Sequence, residues 1–194
     1  MRKPIHYAAA CESPAPLKVL LERGANAVDQ DNNKTTPLHI AAKYGRWENV
    51  ELLLAKGANI KARDKQGMTP LAFACQGGHL ETLKVIFANK ITPNTASGAN
   101  RFTPLCYAAA NNYYDVAEYL LENRGKVIGK DKFKRCPLTL ACKNGHVKMA
   151  SLLIRYGADV NQPDSSGNTP LHFAAGYGFA DCVDLLIKNG AEIN

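Results

Sequence analysis

Two kinds of apolar stretch alternate along this chain of 194 residues. One is short and rich in alanine, as in TPLHIAAKYG from Thr36; the other is longer and periodic, as in WENVELLLAKG from Trp47. In the second kind Val50, Leu53 and Leu54 stand at i, i+3 and i+4, which places them on one helical face. A glycine follows, as expected where a helix stops. The first kind opens on a proline, which suits an initial helical turn because the N–H it lacks has no intrahelical partner there. Two small residues after the apolar–polar–apolar triplet allow close helix packing. The pattern predicts pairs of short antiparallel helices.

These pairs recur. Proline opens the alanine-rich phrase at Pro4, Pro37, Pro70, Pro104, Pro137 and Pro170, at steps of 33, 33, 34, 33 and 33 residues. The phrase reads PIHYAAACE, TPLHIAAKYG, TPLAFACQGG, TPLCYAAANN, CPLTLACKNG and TPLHFAAGYG in turn. About twenty residues after a proline comes Gly-Ala-polar, at Gly24, Gly57, Gly157 and Gly190.

Over essentially its whole length the chain resembles the ankyrin repeat family. The fold this implies is an all-α repeat solenoid with β-hairpin connections, a stack of helix–turn–helix units. One unit cannot bury its apolar stripe alone, and stacking does so. We read residues 1–194 as a single ankyrin repeat domain, with repeats near 1–30, 31–63, 64–97, 98–130, 131–163 and 164–194. The last stretch, VDLLIKNGAEIN, reads as an internal repeat rather than a polar cap, so the expectation is a fragment of a longer protein with more repeats or a further domain beyond Asn194.

Two departures stand out. Lys90 replaces the helix-stopping glycine before the fourth repeat and Gly125 arrives one residue late after it, which predicts a reshaped loop over 90–100. At the hairpin turn, where the family usually has glycine, Gly67 and Gly167 conform but Lys34, Arg101 and Lys134 do not. The plainer expectation is that these three turns relax to another type. The sharper is that three basic side chains are displayed towards a partner.

The repeat absorbs most residues that look chemical. Cys75 and Cys142 take the second small position; Cys136 stands for the threonine of TPL, and Cys106 for its histidine. With Cys11 and Cys182 they form no C-x-x-C pair, and all six read as reduced thiols. The resemblance implies that His6, His39 and His172 hydrogen-bond between repeats, while His79 and His146 occupy another motif place. No carboxylate pair, nucleophile–base combination or phosphate-binding loop stands outside the pattern. The reading is therefore no enzyme, no catalytic residue, no metal and no cofactor.

Charge sharpens the picture through its location. Of a net +7, six charges fall within residues 124–145, where Arg124, Lys126, Lys130, Lys132, Lys134, Arg135 and Lys143 face one acid, Asp131. Arg and aromatic residues are the common hot-spot types at protein interfaces. The resemblance implies protein binding through hairpin tips and the concave side of the first helices, with Asp31, Asp64, Asp131 and Asp164 as motif residues that organise the turn. On that basis the partner-binding candidates are Tyr44, Lys65, Met68, Arg101, Phe102, Lys132, Phe133, Lys134, Arg135, Lys143 and Tyr177. The reading is a protein-interaction scaffold for an acidic or phosphorylated partner segment near the fourth and fifth repeats. The alternative is a regulatory or targeting arm of a larger enzyme or channel. Nucleic acid is disfavoured because the charge does not continue along the stack. Asn161, within Leu153…Asp159-Val160-Asn161, matches the family's asparagine hydroxylation pattern. No stretch is long and apolar enough to span a membrane, and the N-terminus lacks a signal-peptide core, so a cytoplasmic or nuclear location is expected.

Overall fold

The computed structural model describes residues 1–193 and contains twelve α-helices. They fall into two compact units. The first comprises Met1–Thr92 with Ser97–Ala99, and holds α1 (Pro4–Ala10), α2 (Ala15–Glu22), α3 (Pro37–Lys43), α4 (Trp47–Ala55), α5 (Pro70–Gly77) and α6 (Leu80–Ala88). The second comprises Pro93–Ala96 and the residues from Asn100 on. It holds α7 (Pro104–Ala110), α8 (Tyr114–Glu122), α9 (Pro137–Lys143), α10 (Val147–Arg155), α11 (Pro170–Gly176) and α12 (Ala180–Lys188). All six repeat prolines sit at the first position of a helix.

In the first unit α1 packs on α3 and α3 on α5, with α4 against α6 behind them. Leu38, Val50, Leu53 and Leu83 are fully buried there. In the second unit α9 lies between α7 and α11, and α10 between α8 and α12, burying Leu105, Leu120, Leu138 and Leu153. The paired alanines supply the small surface such packing needs: Ala41, Ala108 and Ala141 have no exposure. Gly145 shows how tight the fit becomes. Its φ is +70°, and a Cβ there would come within 2.5 Å of the Phe179 ring.

Short helices need their ends satisfied. The Thr69 and Thr103 hydroxyls accept the N–H of Ala72 and Cys106 at 3.2 and 3.3 Å. Cys136 offers no such cap, and its Sγ lies 3.2 Å from the Thr139 hydroxyl instead. Two of the repeat histidines tie one helix to the following connection. His6 Nε2 meets the Thr35 carbonyl at 3.0 Å, and His39 Nε2 meets those of Ala62 and Met68 at 3.1 Å. Cys106, standing where a histidine is expected, makes the same reach more weakly, its Sγ 3.8 Å from the Gly129 carbonyl. Burial holds the His39 imidazole below its ordinary pKa, although the Met68 and Ala62 carbonyls and Asp64 favour the charged form. At the end of α1, where CESPAP lacks the usual glycine, the Asn49 amide donates to the Ala9 and Cys11 carbonyls at 3.2 and 2.9 Å, and Arg46 Nε to Ala10 at 3.0 Å.

The connections are tight turns, with no regular strand among the described residues. An aspartate organises four of them. Asp31 Oδ1 accepts the N–H of Asn33 and Thr35 at 2.8 and 2.9 Å, and Asp64, Asp131 and Asp164 repeat the arrangement. Gly98 stands in this place before the fourth repeat. Turns are also stitched to one another: Lys65 N–H donates to Asn33 O at 2.8 Å, Lys132 N–H to Asn100 O at 2.9 Å, and Ser165 N–H to Phe133 O at 2.8 Å.

The expectation that the non-glycine turns relax is overturned. Lys34, Arg101 and Lys134 keep left-handed backbone, with φ of 58°, 54° and 60°. At Lys34 and Lys134 the bonds from the aspartate on one side and between turns on the other fix the geometry, and at Arg101, where Gly98 replaces the aspartate, the Lys132 N–H bond to Asn100 holds the neighbouring residue, so the side chain must accept it. Each such residue costs about 1–2 kcal/mol relative to an ordinary conformation. Two more basic residues do the same at helix ends, Lys90 with φ 57° and Arg124 with φ 68°. Arg124 takes the left-handed place, and the late Gly125 then allows a close approach: its N–H reaches the Leu120 carbonyl at 2.7 Å, and a Cβ would meet that oxygen at 2.5 Å.

Candidate protein-interaction surface

The first unit carries three of the sequence candidates. Tyr44 closes α3 and is half exposed, with the Lys43 ammonium 5.8 Å from its ring centre. Lys65 is exposed at the next turn. Met68 is a correction: its side chain is buried, at 8% exposure, so it cannot serve as an apolar anchor on the surface. Its N–H donates to Asp64 Oδ1 at 2.8 Å and its carbonyl accepts from His39, which folds the residue inward.

The remaining candidates belong to the second unit, where the connection over 124–136 dominates. Asp131 is its buried pivot. One oxygen accepts the N–H of Phe133 and Arg135 at 2.8 and 2.9 Å; the other meets Arg135 Nε at 2.8 Å and Nη2 at 2.7 Å. The Arg135 guanidinium is thus committed to Asp131, and it also stacks over the Phe133 ring with Cζ 4.9 Å from the centre. This gives Arg135 a structural duty that its sequence position did not reveal. Lys132 Nζ lies over the same ring at 4.9 Å. Phe133, 45% exposed, is therefore a flat apolar surface framed by two cations.

Around it Arg101, Arg124, Lys126, Lys130, Lys132 and Lys134 are exposed, and none has an ion-pair partner among the described residues. Phe102 is half-buried, its ring 5.1 Å from that of Tyr107 in an edge arrangement. Lys143, at the end of α9, holds its ammonium 5.6 Å from the centre of the exposed Tyr177 ring. The backbone bond from Lys132 to Asn100 joins Arg101 and the 131–135 turn into one surface. Tyr177 lies at the end of α11, apart from these turns in sequence and in element.

Two features of this connection escaped sequence reading. Asn94 donates from its amide to the Arg124 carbonyl at 3.1 Å and accepts the Lys126 N–H at 2.7 Å. Asn161 does the same two connections later, to the Gly190 carbonyl at 3.0 Å and the Glu192 N–H at 2.9 Å. Between them in the repeat register stands Ile128, which grips nothing and is 65% exposed. The same register place holds Val28 and Lys61 in the first unit, so residue type there carries no sequence signal of its own. Ile128 adds a second apolar side chain between Lys126 and Lys130.

All six cysteines are free thiols, Cys11 exposed and five buried. Burial pushes the Cys106 thiol up to about 11 and raises Cys75 further, which keeps both protonated and unreactive. Among the described residues no three His, Cys, Asp or Glu side chains converge as metal ligands, and no helix is long and apolar enough to cross a membrane.

The family models place these observations. Models of ankyrin repeats, one of three copies and one of many, match residues 57–131 and 124–194 and residues 20–67. The chain belongs to the ankyrin repeat family. Among solved structures it is similar to the human ASB11 ankyrin repeat domain, at 27% identity and a TM-score of 0.92, covering 100% of this chain and 86% of that one. It is similar also to a chain in the structure of the predatory endopeptidase Bd0816 from Bdellovibrio bacteriovorus in complex with immunity protein Bd3460, at 26% identity, TM-score 0.86 and coverage of 96% and 98%. The ankyrin repeat domain of Bcl-3, of the IkappaB family, matches at 26% identity with a TM-score of 0.84, over 98% of this chain and 87% of that one. Among curated proteins none matches.

Proposed function

We propose that this protein is a non-catalytic interaction module that docks an acidic or phosphorylated segment of a protein partner on the connection around residues 124–136. Ankyrin repeats are in general protein-interaction modules, and one similar solved structure is of an endopeptidase bound to an immunity protein. What carries the finer reading is one observation: a half-exposed Phe133 framed by cations, beside exposed basic groups with no acid of their own. Desolvated aromatic and basic groups of this kind are where interfaces concentrate their energy. Six free thiols, five of them buried, support a reducing compartment such as the cytoplasm.

The surface is tested with Lys132→Glu combined with Lys134→Glu, and separately with Phe133→Ala. Arg135 is left intact because a glutamate there would face the buried Asp131. Binding of a fluorescent ten-residue glutamate-rich peptide is measured by anisotropy. The charge-reversed pair is expected to lose binding at least ~10-fold, since two attractive contacts become repulsive, with the helical circular-dichroism signal unchanged. Equal binding by the reversed pair would refute the assignment.

A further inference from the structure

Five of the six non-glycine residues with left-handed backbone among the described residues are basic: Lys34, Lys90, Arg101, Arg124 and Lys134, with Asn112 the exception. Glycine fills the same turn place at Gly67 and Gly167, so the fold itself accepts glycine there. Arg101 and Lys134 are exposed, and their side chains make no hydrogen bond, ion pair or ring contact among the described residues. Backbone strain held for a side chain with no structural partner points outward, to what that side chain meets.

The surroundings say what that is. The Lys132 to Asn100 hydrogen bond at 2.9 Å sets the two turns side by side, so Arg101 and Lys134 hold matching places on consecutive tips. The acid of that turn, Asp131, is already consumed by Arg135 through Nε and Nη2 at 2.8 and 2.7 Å. That spends the guanidinium fork in the turn that would clamp a phosphate dianion from two directions. What stays open is three ammonium groups, Lys130, Lys132 and Lys134, on one turn and a lone guanidinium, Arg101, on the other, with Arg124 and Lys126 earlier in the same connection. Separate single charges match carboxylates distributed along an extended chain better than one concentrated dianion.

Resting on the docking reading above, we propose that Arg101 and Lys134 are specificity-determining contacts for a carboxylate-rich, unphosphorylated extended segment, kept in place of glycine at the expense of local backbone stability. The test uses the whole chain and three probes: an alternating Glu-Gly decapeptide, a decapeptide of equal charge carrying phosphoserine, and a twelve-base-pair DNA duplex. Arg101→Gly with Lys134→Gly removes charge and strain together; Arg101→Gln with Lys134→Gln removes charge and keeps the strain. Both double variants are expected to bind the Glu-Gly peptide ~3- to 10-fold more weakly than the parent, while the glycine variant melts at or above the temperature of the glutamine variant. Undiminished binding by the glycine variant, or a glycine variant that melts below the glutamine one, overturns the proposal. So does a parent chain that prefers the phosphopeptide at equal charge, which leaves the wider docking reading standing. Binding to the duplex alone, or to no probe, defeats both.

Discussion

Arg135 and Lys132 lie three residues apart in one turn, both basic, and do different work. The Arg135 side chain is largely buried against an Asp131 carboxylate that has no exposure of its own, whereas Lys132 stands in solvent over Phe133. Removing one partner of a buried pair strands the other charge, which typically costs about 3 kcal/mol. Arg135→Ala is therefore expected to lower stability by about 2–3 kcal/mol in urea unfolding, and Lys132→Ala by less than about 0.5 kcal/mol. Comparable losses for both would show that the Asp131 pair is not holding the turn. From sequence these residues were indistinguishable, since a charge run does not reveal which of its members is satisfied. Met68 was misplaced for a similar reason. Its register place, two residues before the helix proline, also holds Thr35 and Arg135, buried and half-buried. The turn directs that side chain inward whatever its type, so variability at the position said nothing about exposure.

At the scale of helices the sequence was almost fully legible. Each proline opened a helix where the period placed it, because proline's fixed φ and missing N–H suit that one position. The turns were harder. Their geometry is set by bonds from residues thirty positions away, as with Asn94 and Arg124 or Lys132 and Asn100, and no local pattern contains those partners. That is why left-handed lysine and arginine were not foreseen as the outcome. Gly145 shows how far local freedom and packing combine. Gly145→Ala must accept a φ of +70° and also displace the Phe179 ring. A loss of about 2–4 kcal/mol is expected from strain and overpacking together. Chemical denaturation measures it directly, and Gly145→Ala combined with Phe179→Ala should recover the steric part. No recovery in the double variant would mean that backbone strain alone sets the cost.

For the molecule entire, two groups of the first unit link folding to acidity. His39 is held below its ordinary value of 6.5, chiefly by burial. Burial opposes ionisation of Asp31 also, but the Thr35 and Asn33 N–H groups and Arg2 outweigh it and hold its carboxyl below the ordinary 3.8. Each group binds its proton more readily in the unfolded chain than in the folded one. Stability is therefore full above pH 6.5, begins to fall as the unfolded histidine charges below that, and falls further below pH 3.8 as the unfolded aspartate protonates. Urea midpoints at pH 7.5, 5.5 and 4.5 should decline in that order, and His39→Gln should flatten the decline. A parent midpoint that stays level down to pH 4.5 would remove His39 from this role.

The hydrogen bonds that run from turn to turn join backbone atoms: the N–H of Lys132 to the carbonyl of Asn100, that of Ser165 to the carbonyl of Phe133. They fill the inward groups of each turn without calling on the side chains at the tip. The scaffold consequently places few demands on what those tips carry, apart from the residues committed inward such as Arg135 and the left-handed backbone that Lys134 must adopt. In evolutionary terms architecture and allegiance are inherited separately. A lineage can exchange Lys132, Phe133 or Lys134 and change its partner while leaving every helix where it was.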